Sequence, residues 1–278
     1  MIEPLFPWPH RRLGDPQQPA LVFLHGFLGS GQDWAVVARG CQKRFCCYLF
    51  DLPGHGPHAA RPMTSALSLQ GLAKELVDSL AALGQRKFSM VGYSMGARLA
   101  LTVALTHRDK VEALVLESGS PGIELPADRK RRMKLDQARA ERIGRNGLNA
   151  FVDRWYDAPL FASLKRTPQE LNALKNQRCQ NDPAWMAKVV VELSPGRQPS
   201  LWASLASVRV PCLLLAGALD EVYKKIIDKM QSVLPQANTI IVPRAGHNTH
   251  LEQPERFTQA VLDFLEHLMQ QYTGLPVS

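Results

Sequence analysis

Short apolar runs and helical stripes alternate along the chain. Ala20 to Leu24 is a continuous apolar run that stops at His25-Gly26, and Cys46 to Phe50 is another that stops at Asp51-Leu52-Pro53-Gly54. Runs of this length, closed by turn residues, read as buried strands. Leu69, Leu72, Ala73, Leu76, Val77 and Leu80 then recur at helical spacing. Phe88 to Val91 predicts a third strand, Ala97 to Ala104 a packed helix directly after it, and Val111 to Leu116 a fourth strand. Beyond Pro121 the strand signal disappears until Pro211. Cys212 to Ala216 and Thr239 to Val242 restore it, and a final helix is predicted from about Glu255 to Met269. Alternating strands and helices imply an α/β fold, a mostly parallel sheet with helices on both faces. The expected organisation is a core of residues 1–120 and 206–278, with residues 121–205 inserted as a helical cap. Such a cap would lie over the carboxyl edge of the sheet, where open α/β sheets bind ligands.

Composition narrows this picture. The 278 residues are 45% hydrophobic and 21% charged, which excludes a disordered or fibrous chain. No apolar run approaches the roughly 20 residues that span a bilayer, so no membrane span is expected. The N-terminal residues lack an apolar segment followed by a small-residue cleavage site, so no secretory signal is expected either. The five cysteines show no metal-ligand spacing. They suit a reducing cytoplasm, with no disulfide, metal or cofactor. Charge is uneven: residues 128–178 hold 13 Lys or Arg against 6 Asp or Glu, in a chain of net charge +8. Solvated helix faces account for much of that excess. A positive field over a cleft for an anionic partner is the sharper reading. Nucleic acid is not the expected partner, because no interleaved aromatic and basic motif is present.

The chemistry centres on Gly92-Tyr93-Ser94-Met95-Gly96, a G-x-S-x-G element between a predicted strand and a predicted helix. The glycines permit the sharp turn that would lift the Ser94 hydroxyl above the sheet. A serine hydroxyl needs a base, itself oriented by an acid. His247, in the loop after the last strand, is the best-placed base. His25 fits better as scaffold for an oxyanion loop, and His10, His55, His250 and His267 have weaker settings. Asp220, after the strand at Cys212, is the expected acid. Glu117, at the end of an earlier strand, is its rival, and a helix N-cap is the plain alternative role for Asp220. The backbone N–H groups of Met95 and Phe27 would form the oxyanion hole.

Several stretches extend the elbow into a wider likeness. They are Gly92 to Leu101, Glu117-Ser118-Gly119-Ser120-Pro121-Gly122-Ile123, Trp155 to Phe161, and Gln198-Pro199-Ser200-Leu201-Trp202. On these the chain resembles the α/β-hydrolase superfamily along nearly its whole length. Within it, the chain resembles the 2-succinyl-6-hydroxy-2,4-cyclohexadiene-1-carboxylate synthase (MenH) family of menaquinone and phylloquinone biosynthesis. Ala97 departs from the pattern, which favours a second glycine there. The resemblance implies an α/β-hydrolase fold used as a lyase: proton removal from a cyclohexene and elimination of pyruvate, without a cofactor. It also implies a small tricarboxylate substrate, with Arg98, Arg132 and Arg178 as carboxylate-binding residues and Tyr93 and Trp155 as pocket walls. Arg98 shares a helix face with Ser94, and a guanidinium can grip a carboxylate through two parallel hydrogen bonds.

Two other readings stay open at this stage. One is a serine hydrolase of esters, thioesters or carbon–carbon bonds. The other is a silent hydrolase-like binding protein, which would lack a triad member. A monomer or weak homo-oligomer is expected.

Overall fold

A computed structural model describes residues 6–56, 63, 66–164 and 168–273, with residues 272 and 273 described by their backbone alone. Lys165 and Arg166 of the basic segment, and the outermost residues of the expected core, lie outside the described residues. Seven strands form one sheet: β1 (His10–Leu13), β2 (Ala20–Leu24), β3 (Cys46–Phe50), β4 (Phe88–Tyr93), β5 (Val111–Glu117), β6 (Cys212–Gly217) and β7 (Ala237–Val242). The order is β1-β3-β2-β4-β5-β6-β7. Among the described strands only β1 runs antiparallel, with His10 opposite Phe50. The remaining pairs are parallel.

The inner strands read as unbroken apolar runs because both faces are covered. Leu21 and Phe23 point to one face, where Trp34, Phe257 and Val261 pack. Ala20, Val22 and Leu24 point to the other, against Leu72, Leu76 and Leu99. The first face is roofed by α1 (Ala35–Cys41) and α9 (Pro254–Thr273). The second is covered by α2 (Leu69–Ala82) and α3 (Met95–Thr106).

Between β5 and β6 the described elements are helical: α4 (Pro126–Tyr156), α5 (Pro168–Arg178) and α6 (Pro183–Glu192), with 3-10 turns at Pro159–Leu164 and Trp202–Ser207. α4 is bent at Gly147, whose φ of 79° and ψ of 165° interrupt the helix. The β6–β7 crossover is α7 (Glu221–Gln231), and the short α8 (Thr249–Glu252) precedes α9. No described helix is long and apolar enough to cross a membrane. The β1 strand was not expected. Its sequence, His-Arg-Arg-Leu, carries no apolar pattern because it pairs on one side only, and charged residues are common on edge strands.

Candidate active site

The carboxyl ends of the parallel strands converge on one region. Ser94 follows β4 with φ 50° and ψ −102°, a conformation that costs a non-glycine residue about 1–3 kcal/mol. Its neighbours explain how the turn is held. A Cβ on Gly96 would stand 2.1 Å from the Leu24 carbonyl oxygen, and one on Gly92 would stand 2.6 Å from the Gly96 carbonyl oxygen. Helix α3 thus packs against the end of β2 at a distance only glycine allows. The Ser94 N–H also donates to the Glu117 carbonyl at 2.9 Å. Ala97, the departure from the expected glycine, is accommodated by Gly119. A Cβ on Gly119 would lie only 2.8 Å from that of Ala97.

His247 sits in the loop between β7 and α8, 3% exposed. Its Nδ1 lies 2.8 Å from Asp220 Oδ2. A carboxylate there accepts a hydrogen bond from Nδ1–H, which keeps the proton on Nδ1 and leaves the Nε2 lone pair free to accept one. Asp220 also does what its alternative reading demanded: Oδ1 accepts the Tyr223 N–H at 3.1 Å and caps α7. The His247 backbone is clamped as well. Its carbonyl accepts the Ser118 hydroxyl at 3.0 Å, and Glu252 accepts the flanking Gly246 and Asn248 N–H groups.

Glu117, the rival acid, is wholly buried and committed elsewhere. It accepts the Thr249 hydroxyl at 2.6 Å, the His250 N–H at 3.1 Å and faces His250 Nδ1 at 2.7 Å. The His250 ring stacks on Trp34 with centroids 4.2 Å apart. This second carboxylate–imidazole pair sits behind the His247 loop.

Met95 is the first residue of α3, so its N–H belongs to the first turn, which has no intrahelical acceptor. Phe27 follows β2 and lines the same cavity as Ser94. His25 fixes the start of that loop. Its Nδ1 meets the Gly26 carbonyl at 2.7 Å while its Nε2 accepts the Leu52 N–H at 2.9 Å. Accepting at Nε2 requires a neutral ring. Burial, with repulsion from Arg178, pushes its pKa down to about 3 against the pull of the Gly26 carbonyl.

Ser94, His247, Tyr93, Trp155, Arg132 and Arg178 line one cavity of about 130 Å³. Ser94, Met95, Arg98 and Arg132 line an adjoining one of about 240 Å³, and Phe27, Trp155 and Tyr223 face both. Every site residue expected from sequence therefore borders this double chamber except Asp220, which stands behind His247.

The three expected arginines differ in their surroundings. Arg98 is buried, and the acceptors it meets are neutral: Gln198 Oε1 at 2.9 Å and the Leu193 carbonyl at 2.8 Å. Burial, with repulsion from Arg132, lowers its pKa to about 10. Arg178 is buried against Asp33 at 2.8 Å and the Tyr156 hydroxyl at 3.0 Å. Arg132 reaches Asp136 at 2.7 Å. Sequence reasoning missed Asp33, Tyr156, Asp136 and a fourth lining arginine, Arg139. Arg132, Asp136 and Arg139 stand at i, i+4 and i+7 of α4, a spacing that could have revealed them. Among the described residues no group of three or more His, Cys, Asp or Glu is placed to hold a metal ion.

Comparison with known proteins matches residues 19–254 to the alpha/beta hydrolase fold family. A putative 2-succinyl-6-hydroxy-2,4-cyclohexadiene-1-carboxylate synthase of Bacillus subtilis is 35% identical over 91% of this chain and 92% of its own length. The chloroplastic protein PHYLLO of Arabidopsis thaliana is 37% identical over 88% of this chain, which spans only 15% of that much longer protein. The structure of MenH from S. aureus superposes with a TM-score of 0.89 at 31% identity, covering 93% of this chain and 98% of that one. With its fold, its strained serine turn and these relatives in agreement, the chain belongs to the α/β-hydrolase superfamily and, within it, to the 2-succinyl-6-hydroxy-2,4-cyclohexadiene-1-carboxylate synthase family.

Proposed function

We propose that this protein is the pyruvate-eliminating lyase its relatives are named for. It would convert 2-succinyl-5-enolpyruvyl-6-hydroxy-3-cyclohexene-1-carboxylate to 2-succinyl-6-hydroxy-2,4-cyclohexadiene-1-carboxylate in menaquinone or phylloquinone biosynthesis. The observation that carries the reading is the charge of the chamber. Four arginines border the chamber that Ser94 and His247 line, and Arg98 meets neutral acceptors. An ester pocket is mostly apolar, and burying guanidinium groups in it without a substrate anion would be costly.

In this mechanism Asp220 holds His247 in the tautomer whose Nε2 accepts the Ser94 proton. The Ser94 oxygen then takes a ring C–H proton beside the succinyl ketone. The C–H electron pair becomes a new ring double bond, the existing double bond shifts, and the C–O bond to the enolpyruvyl group breaks. The departing enolate takes up a proton and becomes pyruvate. The Phe27 and Met95 N–H groups hold the negative charge that develops on the succinyl carbonyl oxygen. Arg98, Arg132 and Arg178 bind carboxylates, and Tyr93 and Trp155 wall the site. No water and no acyl-enzyme enter the reaction.

Residues 121–205 serve as the cap in this scheme, since α4 and α5 supply Arg132, Trp155 and Arg178. The protein is read as acting in the cytoplasm as a monomer or weak homo-oligomer, on a small anionic substrate rather than nucleic acid. The five free cysteines support the location. The test is purified protein supplied with the cyclohexene substrate, with released pyruvate read through a coupled dehydrogenase. One pyruvate per diene is expected. Turnover of simple esters with no pyruvate would replace this reading by the serine-hydrolase one.

A further inference from the structure

Asp136 is a buried acid of α4 with three side-chain partners. It is 1% exposed and both carboxylate oxygens are occupied. Oδ2 accepts Arg132 Nε at 2.7 Å and the Ser194 hydroxyl at 2.6 Å, and Oδ1 accepts Arg139 Nη1 at 2.6 Å. Ser194 belongs to the turn after α6, so this carboxylate joins α4 to α6 at the wall of the chamber. The bond to Asp136 uses one of the five donors of Arg139. The Arg139 guanidinium lies over Trp155, 5.0 Å from the ring centroid, and lines the cavity that holds Ser94 and His247. Trp155 in turn packs edge-on against Phe27, with centroids 5.3 Å apart.

Charge and geometry distinguish this arginine from Arg178. The Arg178 charge is cancelled locally by Asp33, and the Tyr156 hydroxyl occupies a second donor. By contrast, one carboxylate stands between two guanidinium groups at Asp136, which leaves a net positive charge on the chamber wall. Stacking on Trp155 and the Asp136 bond hold the Arg139 fork in one plane, so little freedom is lost when it meets an anion.

We propose that Arg139 is a further substrate-binding residue, which gives the site its preference for a polycarboxylate, and that Asp136 is a positioning residue that sets the forks of Arg132 and Arg139. The inference rests on the lyase reading for the identity of the substrate, but not for the chemistry of the anion. A substrate carboxylate would complete the alternation of charge that Asp136 begins.

The experiment compares wild type with R139Q, R139K and D136N by two readouts. One is steady-state pyruvate release. The other is calorimetric binding of tricarballylate, an unreactive tricarboxylate. R139Q should raise KM about 10- to 100-fold with a smaller change in kcat, the loss expected for charge-assisted hydrogen bonds to a carboxylate. Tricarballylate affinity should fall at least about tenfold. R139K should recover part of both losses, because it restores charge without the fork. D136N makes the chamber more positive, so charge alone would tighten anion binding. The positioning role makes the opposite prediction, weaker binding and a higher KM. Equal tricarballylate affinity in wild type and R139Q overturns the assignment of Arg139, whether or not pyruvate is released. Tighter binding by D136N overturns the assignment of Asp136. Wild type that binds tricarballylate through Arg139 yet releases no pyruvate would sink the lyase reading alone.

Discussion

Asp220 performs two tasks through two oxygens, and substitution can separate them. Oδ1 caps α7 through the Tyr223 N–H, and Oδ2 faces His247 Nδ1 at 2.8 Å. In D220N the side-chain oxygen can still accept the Tyr223 N–H, so the cap survives. The amide nitrogen then faces His247 Nδ1, and two donors cannot share that contact. The imidazole relieves the clash by moving its proton to Nε2, which removes the lone pair that would accept the Ser94 proton. The loss at the acid of a serine triad is about 10⁴-fold, or roughly 5.5 kcal/mol in the barrier. D220A loses both tasks: the same catalytic defect plus about 1 kcal/mol of helix-cap stability. Pyruvate release measures the first quantity and urea unfolding the second. D220N should unfold close to wild type while turning over at most about one-thousandth as fast. A D220N enzyme with a tenth of wild-type kcat would refute the tautomer argument. A D220N protein as unstable as D220A would refute the cap argument.

The other predictions come from packing and charge. G119A should destabilise the fold by about 1–3 kcal/mol, since its Cβ would meet that of Ala97 at 2.8 Å. Adding A97G should recover part of that loss, and a double-mutant cycle in urea that shows no coupling would dismiss the contact. D33N strands the buried Arg178 guanidinium and should cost about 3–5 kcal/mol, read as a lowered urea midpoint; a shift under 1 kcal/mol would mean the pair adds little. Stability should also fall on mild acidification. His25 is neutral in the fold, its pKa lowered to about 3, and the neighbouring His55 is lowered too, each chiefly by burial. The unfolded chain protonates both below about pH 6.5, so each contributes stability that is present above that pH and lost as pH falls toward its folded value. The slope is at most about 1.4 kcal/mol per pH unit for each histidine, and urea midpoints unchanged between pH 6 and 4.5 would contradict it.

Most strands that were legible in the sequence are buried on both faces; β7 is the exception, an edge strand that its exposed Ile240 and Ile241 still announced. Cys46 to Phe50 reads as a strand because alternate side chains all enter a core, Cys47 and Leu49 on one side and Tyr48 and Phe50 on the other. β1 escaped notice because a one-sided edge strand needs no apolar code. Its Arg11 and Arg12 stay exposed while the backbone pairs with Leu49 and Tyr48. The serine turn was legible for a different reason: its glycines answer close backbone approaches within a few residues of Ser94 and at the end of β2. Partnerships across long separations leave no such trace. Nothing near Arg178 announces Asp33, 145 residues earlier, and nothing near Asp136 announces Ser194. Glu117 stayed a rival to Asp220, the expected acid, until the fold gave Glu117 to His250 and Asp220 to His247.

The same long-range bonds bear on how binding and chemistry are linked. The C-terminal end of α5 is tied to the loop after β2 by three bridges: Arg178 to Asp33, Gln177 to the Ser30 hydroxyl, and the Asn181 amide to the Leu28 carbonyl. Asn181 also accepts the Gly56 N–H at 3.0 Å. That loop begins at His25, whose bond to the Gly26 carbonyl sets the peptide before Phe27. An arginine-bearing helix and a proposed oxyanion donor are therefore parts of one hydrogen-bonded unit. On the lyase reading, a substrate held by its carboxylates is presented to donors whose spacing the same bonds maintain. Charge recognition by the cap then places the succinyl carbonyl against Phe27 and Met95, so binding energy from groups remote from the broken bond is used to orient the proton that leaves.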